Sequence, residues 1–318
     1  MVIQAEKLSK HYGTTRALQG IDLQISESGI VGILGPNGAG KTTMIEIFEG
    51  LRMPSSGRVS VLGLDPARQS STLKQRLGIQ LQSTSIPPDL TSTEILKLFA
   101  AFYQKSLQPG EILKRIELQE KAGVRFSNLS GGQQQRIAIG LALVNDPELI
   151  LLDEPTTGLD PVARRGVHDI ISRLRDQGST VLLTTHYIEE AEKLCDRIII
   201  VKSGKIVADG TPFDLVSQAE GSSTIWIAVD GELDPAPLQQ AGVTPQGTEG
   251  GHLHFITLDP AAAVIALGHV LQAQNLRLID LRMKRPTLED VYLSLIGQPE
   301  DEQVHDDARK PSMQNRAE

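Results

Sequence analysis

The sequence predicts an α/β fold: a parallel sheet covered by helices on both faces, carrying a helical insert and followed by a small α+β domain. Three observations predict it. Short apolar runs at residues 30–34, 149–152 and 180–184 alternate with helical patterns, as strands buried on both faces do. A glycine-rich loop leaves the first run and opens a helical pattern. After Gly210 the pattern changes to alternating strands separated by polar turns.

The first unit is expected over residues 1–220, with the helical insert over about 89–145. Residues 197–201, Ser203-Gly204 and residues 205–208 read as a strand, a turn and a returning strand. Thr211-Pro212 opens a short helix, and Gly221-Ser222-Ser223 reads as a linker. Residues 221–297 then read as the small α+β domain. Its strands are expected at 224–229, 252–258 and 276–283, with a helix over about 260–274. A last helix starts at Thr287 as N-cap, with Asp290 reaching back, and stops at Gly297. The polar tail, residues 298–318, has no apolar period and is expected to be disordered.

Length and composition narrow the classes of function. At 318 residues the chain can bury one large core plus a smaller one. Aromatics make up 3%, too few for a surface that stacks single-stranded bases, and the net charge of −8 lacks a basic footprint. No nucleic-acid partner is therefore expected. The lone cysteine, Cys195, excludes an internal disulfide, suits a reducing compartment and reads as a small buried apolar residue. The first residues lack the basic start and apolar run of a secretory signal. No stretch approaches the roughly 18 apolar residues of a membrane span. A membrane role would thus need another protein.

Three segments carry chemistry. Gly35, Pro36, Asn37, Gly38, Ala39, Gly40, Lys41 and Thr42, with Thr43 following, match G-x-x-x-x-G-K-[ST] between a strand and a helix. Glycines let backbone N–H groups converge on phosphate oxygens, and the helix N-terminus adds a favourable field. Lys41 supplies a point charge to the β and γ phosphates, and Thr42 a hydroxyl to Mg²⁺. Asp153 and Glu154 stand at the carboxyl end of a buried strand, where open α/β sheets bind ligands. Asp153 can hold Mg²⁺, and Glu154 can orient or deprotonate a water. The third segment is Leu129-Ser130-Gly131-Gly132-Gln133 ahead of a helix, a second phosphate-binding helix start. Five fixed residues recur by chance on the order of once in a thousand chains, so the match outweighs an ordinary N-cap.

Together these segments resemble the ABC ATPase family over residues 3–210, so the fold implied is a P-loop NTPase of ABC type. Within the resemblance, Tyr12 falls where the family stacks an aromatic on adenine. Gln82 matches the family's metal-contacting glutamine, although Gln80 lies two residues earlier. Asp160 closes the family's D-loop segment, and His186 matches its switch histidine. The resemblance implies ATP and Mg²⁺ as ligands, with Thr42, Gln82 and Asp153 around the metal. It implies that Ser130, Gly131, Gly132 and Gln133 of one subunit face the P-loop of a second, as in a homodimer. Glu154, His186 and Lys41 would carry hydrolysis, and Asp160 would link the two sites.

Residues 286–297 and 76–91 resemble the ATPase subunits of drug- and polyketide-antibiotic-type exporters, which work with separate ABC-2 permeases. The expectation is an exporter ATPase held by a multi-span permease at the cytoplasmic face of the membrane. An importer ATPase with a regulatory C-terminal domain is the alternative. A soluble ABC ATPase acting on DNA or ribosomes is less favoured, because only about 90 residues, without long heptads, separate P-loop and signature.

Overall fold

A computed structural model describes residues 1–26, 28–81, 85–218, 223–284 and 286–297. The expected linker at Gly221-Ser222 and the expected disordered tail lie outside the described residues. The chain opens with β1 (Ile3–Tyr12) and β2 (Thr15–Ile25), an antiparallel pair, and then enters β3 (Gly29–Leu34) and α1 (Lys41–Phe48). β4 (Ser56–Val61), α2 (Ser70–Lys74) and β5 (Leu77–Gln80) follow. The helical insert supplies α3 (Ser92–Ala100), α4 (Pro109–Arg115) and α5 (Gly131–Ala142). The chain then alternates through β6 (Leu149–Asp153), α6 (Pro161–Asp176), β7 (Thr180–Thr185) and α7 (Ile188–Leu194). The hairpin β8 (Arg197–Lys202) and β9 (Lys205–Gly210), with α8 (Pro212–Gln218), ends this part.

The main sheet has the order β5-β6-β7-β3-β8-β9, parallel except for the antiparallel β8–β9 pair. The inner strands β3, β6 and β7 are buried along nearly their whole length because both faces are covered, whereas the edge strand β9 alternates between exposed and half-buried residues. Leu149 and Leu151 point into a core that contains Met44, Ile45, Ile47 and Phe48 of α1. Ile150 and Leu152 point the other way, into a core built with α3 to α7. The sheet β2-β1-β4 contributes Ile3, Leu8, Leu18 and Ile25 to the α1 side.

The strand order places the carboxyl ends of β6, β7 and β3 side by side. Asp153 pairs in register with Thr184, and Leu34 with Thr185. The glycine-rich loop after β3, the acidic pair after β6 and His186 after β7 thus reach one sheet edge.

The C-terminal unit is an antiparallel sheet, β11-β12-β10-β13. Its strands are β10 (Ser223–Val229), β11 (Val243–Glu249), β12 (His252–Thr257) and β13 (Leu278–Lys284). Helices α9 (Ala236–Gln240) and α10 (Pro260–Ala273) give Leu238, Leu267 and Leu271 to the core under Ile225, Ile227 and Phe255. β11 escapes sequence reading because Pro245 and Gly247 break its pattern. It pairs only with β12, and its register shifts between those two residues, as suits an edge strand.

The final helix, α11 (Leu288–Ile296), differs from expectation. Its start is as read: the Thr287 side chain accepts from Asp290 N, and Asp290 reaches back to Thr287 N. The sequence groups it with residues 221–297. In the structure Leu288 is fully buried in the core of the first unit, and Tyr292, Leu295 and Ile296 pack on that core. α11 rests on α7 and α8, and Lys202 Nζ donates to Leu295 O at 3.1 Å. An amphipathic helix docks on whichever apolar surface is open, and sequence distance does not choose it.

Leu288→Ala should lower unfolding stability by about 3 kcal/mol through the lost methyl groups and the residual cavity. Urea denaturation with tryptophan and circular dichroism probes reads this, and a loss too small to resolve would contradict the docking of α11.

Candidate nucleotide site

The glycine-rich loop is shaped by close approaches. A side chain at Gly40, where φ is 105°, would put its Cβ 2.6 Å from Ala17 O of β2. Gly35 lies against the Val201 carbonyl of β8, and Gly204 N donates to Ala39 O at 3.0 Å. Gly38, with φ 77°, has open space where a Cβ would sit. The loop is thereby clasped between β2 and the β8–β9 hairpin. The N-cap of α1 is Gly40, which offers no side-chain acceptor, and the first turn has no acidic residue. Its N–H groups and positive end are left for an anion.

Lys41 is buried at the start of α1. Its Nζ donates to Gly35 O at 2.8 Å and Pro36 O at 3.2 Å, and lies 3.5 Å from Glu154 Oε1. Pro36 and Asn37 form the outer part of the loop, while Ala39 is buried and Thr43 half-buried.

One hydroxyl holds the Asp153 carboxylate and the Glu154 backbone. Thr184 Oγ1 donates to Asp153 Oδ1 and accepts from Glu154 N at 2.9 Å. Burial raises the Asp153 carboxyl above its usual range, against hydrogen bonds from Thr184 and Thr42. Glu154 adopts a left-handed backbone, with φ 48°, that costs a non-glycine residue of order 1–3 kcal/mol. The strain aims its side chain into a cluster. Oε2 accepts from Thr157 Oγ1 at 3.0 Å, and Oε1 lies 3.3 Å from His186 Nδ1. Burial pushes this carboxyl up. The Thr157 hydrogen bond, the Lys41 charge and His186 outweigh it and hold Glu154 below the usual carboxylate range.

Lys41, Thr42, Asp153, Glu154 and His186 therefore converge. The Thr42 hydroxyl and the Asp153 carboxylate are hard oxygen donors close enough for Thr42 to favour the ionised Asp153, a pair that fits Mg²⁺. Gln82, the third expected metal contact, lies outside the described residues. Its rival Gln80 is buried on β5, with Nε2 donating to Leu81 O at 2.7 Å. Tyr12 is exposed at the β1–β2 turn. Lys10 Nζ and the Arg52 guanidinium lie 5.1 and 5.4 Å from its ring centroid.

Ser130 is exposed at the N-cap of α5. Gln133 N donates to Ser130 Oγ at 3.3 Å and Ser130 N to Gln133 Oε1 at 3.0 Å. Gly131 has open space about it, whereas a Cβ on Gly132 would meet Ala163 of α6 at 2.6 Å. Asp160 caps α6, accepting from Val162 N at 2.9 Å and Ala163 N at 3.0 Å. Ser130, Gly132, Gln133 and Asp160 line one open cavity, and no residue of the glycine-rich loop lines it. The two helix starts expected to bind phosphate do not share this pocket within one chain.

Two site residues were missed from sequence. Thr184 was read only as strand; its pairing with Asp153 needs the strand order. Glu49 is fully buried after α1, and neither carboxyl oxygen has a hydrogen-bond partner. Burial, with Asp153 and Glu46 adding, pushes its carboxyl up to about 8. An acid directly after the apolar Ile47-Phe48 pair is the one hint that the sequence offers.

Residues 18–157 match a family model described as ABC transporter. The daunorubicin resistance ATP-binding protein DrrA3 of Streptomyces coeruleorubidus is 34% identical over 303 residues, spanning 93% of this chain and 96% of that protein. The linearmycin resistance ATP-binding protein LnrL of Bacillus subtilis (strain 168) is 34% identical, at 93% and 98%. The Nod factor export ATP-binding protein I of Burkholderia orbicola (strain AU 1054) is 35% identical, at 93% and 97%. Among solved structures, dimeric MJ0796, a bacterial ABC transporter cassette, superposes with a TM-score of 0.58. It is 32% identical and matches 66% of this chain and 98% of that one. A post-hydrolysis dimer of MJ0796 bound to ADP and Pi gives 0.58 at 31% identity, covering 66% and 98%.

The raised Glu49 carboxyl has a signed consequence. The folded protein keeps a proton that the unfolded chain, with an ordinary value of 4.5, gives up. Wild type should therefore lose stability as pH rises from about 4.5 to about 8, at up to roughly 1.4 kcal/mol per pH unit, and level off above. Glu49→Gln lacks this term, so its advantage over wild type should grow across that window. Urea unfolding at about pH 5 and about pH 9 measures it, and an advantage independent of pH would contradict the buried acid.

Proposed function

The chain belongs to the ABC transporter family, and we propose that it is the ATP-hydrolysing subunit that energises an exporter through a separate membrane permease. The observation that carries this reading is the division of one site into two halves. Lys41, Thr42, Asp153, Glu154 and His186 converge at the sheet edge, while Ser130 and Asp160 face a different cavity. A second copy, turned to place its Ser130 helix start over the first chain's loop, would complete the enclosure of the triphosphate. That makes ATP the adhesive of a homodimer.

The roles follow from chemistry. Loop N–H groups and Lys41 hold the phosphates, which compete with the Gly35 and Pro36 carbonyls for the ammonium. Tyr12, exposed and backed by two cations, offers a face for adenine. Mg²⁺, held by Thr42 and Asp153 with Gln82, would neutralise phosphate charge when bound. Glu154 acts on the attacking water, and His186, with Nδ1 3.3 Å from the Glu154 carboxylate, reaches for the γ-phosphate. Hydrolysis removes the bridging charge and lets the halves part.

Export is supported by the resistance and export roles in the names of relatives that this chain matches over nearly their whole length. No helix among the described residues is long and apolar enough to cross a membrane, and the reading assigns that path to a permease. The chain would then sit at the cytoplasmic face of the membrane.

Glu154→Gln should bind ATP normally, hydrolyse it at least about a hundredfold more slowly, and accumulate as an ATP-bound dimer on gel filtration. A variant that stays monomeric in Mg·ATP, with or without its permease, would count against the shared site. Affinity purification of the tagged chain from solubilised membranes should retain a multi-span permease, and its recovery free of any membrane protein would remove the transport role.

A further inference from the structure

Behind His186 lies a buried network that the reaction scheme above leaves unused. Glu190 of α7 is 2% exposed. Its Oε1 accepts from Thr156 Oγ1 at 2.7 Å and from His168 Nε2 of α6 at 2.8 Å. Its Oε2 accepts from Thr185 Oγ1, which in turn accepts from Tyr187 N at 3.0 Å. One carboxylate thus ties three segments: the turn after the acidic pair, helix α6, and both residues flanking His186. Burial pushes Glu190 up, yet hydrogen bonds from His168, Thr185 and Thr156 hold it below its ordinary value, so it stays a charged hub.

A second tie runs parallel to the first. The Arg164 guanidinium lies 4.4 Å from the Tyr187 ring centroid, and the Tyr187 ring stacks on His186, centroids 4.1 Å apart at 39°. Arg164 and His168 are four residues apart and so share one face of α6. The same helix begins at Asp160 and touches Gly132, both on the cavity face offered to a second copy.

We propose that His168 and Glu190 are positioning residues for His186, and that α6 is a rigid strut passing the placement of the Ser130–Asp160 face to that histidine. This rests on the ATPase reading of the site. Neither residue touches the reacting atoms. They fix the backbone on both sides of His186, and Arg164 fixes the ring beside it. A displacement of α6 at its Asp160 end moves both of its restraints together, His168 on Glu190 and Arg164 on Tyr187.

The test is a double-mutant cycle on the full chain. His168→Leu should lower kcat for ATP about tenfold with KM and equilibrium ATP binding within about twofold. His168→Gln, whose amide can donate to Glu190, should recover activity to within about threefold of wild type. In the His186→Ala background, His168→Leu should cause no further loss, because the two act through one group. Arg164→Leu, which leaves the Glu190 hub intact, should lower kcat several-fold and be silent in the same background. Full kcat in both His168→Leu and Arg164→Leu would overturn the strut while leaving an active wild type as an ATPase. Equal losses with and without His186 would overturn it too. A wild type that binds ATP but never turns it over would overturn the ATPase reading and the strut together.

Discussion

The site depends on the parallel pairing of β6, β7 and β3. That register sets Asp153 beside Thr184 and Leu34 beside Thr185, so three chain segments far apart in sequence end at one edge. The glycine-rich loop, the acidic pair and His186 are attached to those ends. The Thr184 hydroxyl binds the Asp153 carboxylate and the Glu154 amide at once, and so converts strand register into side-chain geometry. A slip of one residue would turn every side chain of a strand to the opposite face and separate the groups. The apolar cores on both sheet faces prevent such a slip, because Leu149 and Leu151 serve one core and Ile150 and Leu152 the other.

The second constraint is that a helix start can serve only what lies in front of it. α1 begins inside the loop clasped by β2 and the β8–β9 hairpin, and its first turn faces that loop. α5 begins at Ser130 on an exposed face shared with the start of α6. Two positive helix ends held apart in one rigid chain cannot embrace a single triphosphate. On the proposed reading, separation of this kind would make dimerisation a requirement of binding geometry and would make release follow from loss of a phosphate.

Much of this was legible in the sequence because it is local. The loop from Gly35 to Thr42, the Asp153-Glu154 pair and the Ser130 helix start are contiguous, and each has a physical reason for its composition. The cap at Thr287 was legible for the same reason, whereas the capping role of Asp160 at α6 was not. What escaped depends on tertiary partners. Thr184 matters only through its neighbour strand. Glu49 is unusual only because the core closes over it. α11 has the pattern of any amphipathic helix, and nothing in that pattern says that it returns to α7 and α8. β11 carries a proline and a glycine that an edge position tolerates and a sequence pattern does not reveal.

The electrostatics of Glu154 suggest how substrate binding could raise its competence. A carboxylate held below its ordinary range is a weak proton acceptor, suited to orienting water more than to deprotonating it. Burial works against that depression, and Lys41 at 3.5 Å is among the groups that sustain it. On the proposed reading, a triphosphate would recruit Lys41 to its own oxygens and bring its own negative charge close by. Both changes push the Glu154 carboxyl upward, as does exclusion of water when a second copy closes the site. Basicity would then appear at Glu154 only when phosphate is seated and the interface is shut, which ties proton transfer to assembly without any further device.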